Sequence, residues 1–102
     1  ALHDLMDRAG DEQEVAAIRQ TLTETPGVCN VHDVRTRKMG DMIVVDAHIE
    51  VDADISVEAG HDIAVEARQR VLQRHRVLNL MTHVDPWRRP DLDHAPSRST
   101  VG

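Results

Sequence analysis

The chain has 102 residues, a formal charge of −6, 40% hydrophobic and only 1% aromatic residues, the size and composition of one small domain in water. No apolar run approaches the roughly 20 residues of a bilayer-spanning helix, and no signal peptide is expected. The negative balance, with Trp87 as the one large ring, argues against nucleic acid, whose backbone needs a basic footprint and whose single strands need stacking platforms.

The opening at Ala1, without a methionine and in mid-pattern, is read as a processed or excised part of something larger. Residues 1–10 are expected to be a polar lead-in. Asp11-Glu12-Gln13-Glu14 then has the form of a capping box, predicting a helix over about Asp11 to Glu24. Val15, Ile18 and Leu22 form its apolar stripe. Pro26 disfavours the helical region for Thr25 and ends it. Val28 to Lys38 alternates β-branched and polar residues, Met39-Gly40-Asp41 is a turn signal, and Met42 to Val51 resumes an extended pattern, so the two read as a hairpin. In the second strand Ile43, Val45, Ala47, Ile49 and Val51 alternate strictly with Met42, Val44, Asp46, His48 and Glu50. One face is core and the other is free for chemistry.

Asp52-Ala53-Asp54 is a loop, and Ser56 is placed to cap a second helix. Its buried stripe is Ile63, Ala64, Ala67 and Val71, running to about Arg74. Leu78 to Asp85 is a third strand, with Leu78, Leu80 and Val84 expected inside and Met81, His83 and Asp85 outside. Residues 87–102, rich in Pro, Ser and Thr, are expected to be a disordered tail. The fold class is therefore α+β, helix-strand-strand-helix-strand. A helix joining strands two and three makes them parallel, so both helices should cover one face of a mixed three-stranded sheet, a ferredoxin-like arrangement without its first strand.

The acidity is local. From Met39 to Ala67 there are eight acids and no Lys or Arg, whereas the rest of the chain carries ten acids against 12 bases. Within that stretch Asp46-Ala47-His48 places a carboxylate and an imidazole on one side of a strand, and His83-Val84-Asp85 repeats the device on the last strand. Neutral imidazole and carboxylate are ligands for borderline divalent cations. The candidate metal residues are therefore Asp46, His48, His83 and Asp85, with His61 on the second helix and His32 on the first strand able to complete a site. The plain alternative for each is a solvated polar-face or structural histidine. His75 is expected to complement a helix dipole, and Cys29 to be a small buried hydrophobe. As the one cysteine it cannot close an internal disulfide, which points to a reducing compartment. Arg35, Arg37 and Lys38 read as a solvated strand edge. No phosphate loop, nucleophile elbow or H-E-x-x-H helix is present, so the chain is not expected to be an enzyme.

Five ordered blocks resemble a known family: Pro26-Gly27-Val28, Val31 to Arg37, Val45 to Asp52, Ser56 to His61 and Thr82 to Pro86. Together they are similar to the cytoplasmic C-terminal domain of the cation diffusion facilitator transporters. The resemblance implies a domain attached to a six-helix divalent cation/proton antiporter, at the cytoplasmic face of a bacterial inner or magnetosome membrane. It implies a V-shaped homodimer over residues 11–86 whose arms close on metal. The matching interface ligands are His32, His48, His61, His83 and Asp85, and Asp46 matches a carboxylate of magnetosome-associated members. Where zinc-exporting relatives can place a cysteine, this chain has Trp87, which favours an N/O-ligand site. The Lys38 to Met42 turn and the Thr82 to Pro86 ending resemble the magnetosome-associated members linked to iron loading. Such ligand sets prefer Zn²⁺, so Zn²⁺ is expected to bind in vitro, with Fe²⁺ or Mn²⁺ as physiological candidates. The rival readings are a free-standing metallochaperone-like module and a purely structural dimerisation domain.

Overall fold

The computed structural model describes residues 2–90, with side chains described from residue 12 onward. Five elements follow in order: α1 (Leu2–Thr23), β1 (Val28–Met39), β2 (Met42–Asp52), α2 (Val57–Arg74) and β3 (Val77–Trp87). β2 lies between the other strands, antiparallel to β1 and parallel to β3. This is the order and mixed sheet that the hydrophobic patterns predict.

β2 is central because its alternation is complete. Ile43, Val45, Ala47, Ile49 and Val51 are all buried, and four of them join one cluster with Ile18 and Leu22 of α1 and Ala64, Ala67 and Val71 of α2. Both helices therefore cover one face, and the face carrying Asp46, His48 and Glu50 stays open. Ser56 caps α2 as expected, its Oγ accepting from the Ala59 N–H at 3.0 Å. The hairpin turns at Gly40, whose φ of +66° suits a residue without a Cβ.

Four expectations are corrected. α1 begins at Leu2, not at Asp11. The residues ahead of Asp11 include good helix formers, and one interior Gly10 costs only about 1 kcal/mol, so the box-like tract lies inside a longer helix. In β3 the core residues are Val77 and Leu80, whereas Leu78 is 52% exposed. The pairing slips there, Ile43 opposing Val77 but Val44 opposing Asn79, so one extra β3 residue is turned outward. Val84 does face α2, over Gly60, but remains half-exposed near the sheet edge. Cys29 is exposed, because a second slip between Val28 and Asn30 leaves it unpaired. Finally β3 continues through Pro86, which an edge strand tolerates, and Trp87, whose carbonyl accepts from the Ala53 N–H at 3.0 Å. The rest of the expected tail, from residue 91, lies outside the described residues.

His75 also has a different role from the one expected. It closes the C-terminus of α2, and its Nε2 lies 2.7 Å from the Thr21 hydroxyl on α1. Burial pushes its pKa below the ordinary imidazole value, opposed by Glu14. A neutral ring tying two helices together replaces the cation that the dipole argument predicts.

Candidate metal site on the open sheet face

Register decides the site. His48 opposes His83 across the parallel β2–β3 pair and His32 across the antiparallel β1–β2 pair. Three imidazoles thus stand in a row over three strands, with ring centroids 5.1 Å apart for His32–His48 and 4.5 Å for His48–His83. Because the two motifs run in opposite order along parallel strands, D-x-H on β2 and H-x-D on β3, each carboxylate lands diagonally beside the histidine of the other strand. His48 Nδ1 lies 2.9 Å from Asp85 Oδ2, and His83 Nε2 lies 2.9 Å from Asp46 Oδ1. A carboxylate only accepts, so the ring N–H donates in each case.

The six candidates are therefore divided. His32, His48 and Asp85 are brought together, with one ligand atom from each within 4.8 Å of the others. His32 Nε2 is 3.5 Å from Asp85 Oδ2. Asp46 and His83 form an adjoining exposed pair. His61 is exposed on α2, the element packed on the opposite face, and lies outside the cluster.

Two further acids reach these rings. Glu50 Oε2 is 3.5 Å from His32 Nε2; its place on the open face is legible from alternation with Asp46 and His48. Asp33 Oδ2 is 3.9 Å from His48 Nε2, and alternation would have sent it to the opposite face. A bulge between His32 and Arg35 and a left-handed Asp33, φ 56°, bring it round. The hydrogen bond from Arg35, opposed by burial, holds the Asp33 carboxyl below its usual range. Beside the histidine row a hollow of about 550 Å³ opens between Arg35, Arg37, Met39, Asp46 and Met81. Such a row of imidazoles flanked by carboxylates can bind a divalent cation through nitrogen and oxygen, and the imidazole rings must be neutral to do so.

Comparison with known proteins gives the family context. The chain is 32% identical over 84 residues to the manganese efflux system protein MneS of Bacillus subtilis (strain 168), covering 82% of this chain and 29% of that protein. The chain thus spans less than a third of that relative's length. Among solved structures, a doubly substituted MamM-CTD superposes with a TM-score of 0.77 at 24% identity, covering 79% of this chain and 99% of the other, a likeness of fold. A cadmium form of a MamM CTD variant superposes with a TM-score of 0.75 at 26% identity, covering 78% and 99%. The model of the family described as "Cation efflux protein, cytoplasmic domain" matches residues 11–87. With well over half of its length inside that model, the chain belongs to this family, as the cytoplasmic domain of cation efflux transporters.

Proposed function

We propose that the chain is a regulatory metal sensor, binding a divalent cation on the open sheet face and passing the binding event to an attached membrane transporter. The observation that carries the reading is the His32, His48 and Asp85 cluster, with ligand atoms within 4.8 Å of one another. Asp46 and His83 adjoin it as a second nitrogen and oxygen pair. His61 lies on α2, on the other side of the sheet from the cluster, and takes no part in the site in this reading. The metal is a divalent transition ion: Zn²⁺ by ligand preference in vitro, Fe²⁺ or Mn²⁺ for an exporter or a magnetosome-loading transporter. The cadmium form of a MamM CTD variant and the manganese efflux role in the name of MneS support a transition-metal cargo.

Before metal arrives, the carboxylates of the open face, Asp46, Glu50 and Asp85, repel their counterparts in the second copy. An ion neutralises them and selects a closed arrangement of the arms, to the extent that it binds that arrangement more tightly. The transporter, a cation/proton antiporter in this reading, is thereby regulated by the cytosolic ion that it moves. The family match favours this over a free-standing metallochaperone. Calorimetric titration of Zn²⁺ into the wild-type chain and into His48→Ala/Asp85→Ala checks the site. The double variant is expected to lose binding by about tenfold or more; equal binding in both overturns the assignment.

A further inference from the structure

Asp33 is a non-glycine residue with positive φ, at 56°. That region is unfavourable for an L residue and least so for Asp and Asn. It sits in the bulge between His32 and Arg35. Strain of this kind needs a compensation, and the visible consequence is the aim of the carboxylate. Asp33 Oδ1 accepts from Arg35 Nε at 3.0 Å, while Oδ2 faces His48 Nε2 across 3.9 Å.

That second separation is chemically informative. His48 donates its Nδ1–H to Asp85 Oδ2 at 2.9 Å, so when the ring is neutral Nε2 carries a lone pair. With the ring neutral, a lone pair and a carboxylate oxygen thus face each other across 3.9 Å, too far apart for a hydrogen bond. Metal–ligand bonds of about 2.1 Å to each side would span such a gap. In this conformation Asp33 stands outside the His32, His48 and Asp85 cluster, and its Oδ1 is held by Arg35.

We propose that Asp33 is a further ligand of the cation site, meeting the ion at the Nε2 edge of His48, and that Arg35 is an internal competitor that withholds it. The inference rests on the metal-sensing reading above and deepens it. Arg35 supplies in the metal-free chain the positive charge that the ion supplies when bound, so the bulge keeps a carboxylate ready without leaving it unpaired. The added carboxylate also hardens the site, suiting it to Fe²⁺ or Mn²⁺ more than imidazoles alone would.

The test is calorimetric titration of the full chain with Zn²⁺, together with Co²⁺ titration followed by visible absorption, in Asp33→Asn, Arg35→Gln and the double variant. Asn keeps the left-handed conformation accessible, and melting curves check that each variant folds. Asp33→Asn is expected to weaken binding about tenfold and to change the Co²⁺ absorption bands. Arg35→Gln is expected to tighten binding by up to about fivefold, and that gain is expected to vanish in the double variant. Unchanged affinity and spectrum in Asp33→Asn overturn the proposal. So does a gain from Arg35→Gln that persists without Asp33, which would be general electrostatics. If His48→Ala binds Zn²⁺ as wild type does, the metal reading itself has failed; if His48→Ala loses binding while Asp33→Asn keeps it, only the role of Asp33 falls.

Discussion

His75 shows how a residue's surroundings replace its average behaviour. At a helix C-terminus a histidine in water gains from being charged; here its ring is half-buried and bonded to Thr21, and burial lowers its pKa. The sign of the pH dependence follows. With a folded pKa below the unfolded value of 6.5, the unfolded chain takes up the proton more readily. The stabilisation is complete above about pH 6.5 and is lost as pH falls below that value. His75→Gln retains a hydrogen-bonding group for Thr21 but cannot titrate. Urea denaturation at several pH values between about 5 and 7.5 is expected to give a shallower acid loss of stability for His75→Gln than for wild type. Parallel curves would remove His75 from the account. The histidines of the proposed metal site differ in that their partners are carboxylates, and cation affinity is expected to fall in acid because an imidazole must be neutral to coordinate.

Between elements, the α1–β1 connection is closely constrained. Thr25 is almost fully buried, its hydroxyl donating to the Thr21 carbonyl at 3.0 Å and its carbonyl accepting from the Val28 N–H at 3.1 Å. Gly27 follows with φ of +93°, and a Cβ there would lie 2.6 Å from Ile63 Cδ1 and 2.8 Å from Cγ1. Ile63 of α2 thus packs against the turn in space that a side chain at position 27 would occupy. Gly27→Ala combines a left-handed penalty with displacement of Ile63, and is expected to cost about 2 kcal/mol in thermal or chemical denaturation. Ile63→Val removes Cδ1 but keeps Cγ1, so in the Gly27→Ala background it should recover part of the steric loss and leave the backbone part. If Gly27→Ala proves as stable as wild type, the loop relaxes freely. The strands were legible wherever alternation was unbroken, as in β2. They depart from the pattern at register slips, at Cys29 and at Leu78, because an inserted residue breaks the alternation locally.

For the whole molecule, the localised charge divides in a way that a linear count does not show. Of the eight acids between Met39 and Ala67, Asp46 and Glu50 stand on the open sheet face beside the histidines, whereas Glu58, Asp62 and Glu66 lie exposed along α2. Only the first group can act on an ion at the sheet. If metal draws two copies together through that face, small-angle scattering of the dimer should show a smaller radius of gyration at saturating Zn²⁺ than without metal. An unchanged radius would leave a binding site without a conformational switch. By itself the sequence determined the order of elements, the parallel pairing of β2 and β3, the core face of β2 and the residue types able to hold a cation, since these depend on periodicity and composition within single segments. Only the tertiary structure decided the partners. The opposition of His48 with His83 and His32 set which carboxylate meets which imidazole. The placement of α2 on the other face set His61 apart, and a bulge in β1 turned Asp33 toward His48. Each of these depends on strand register and layer packing, which couple residues distant in the chain and leave no periodic trace along it.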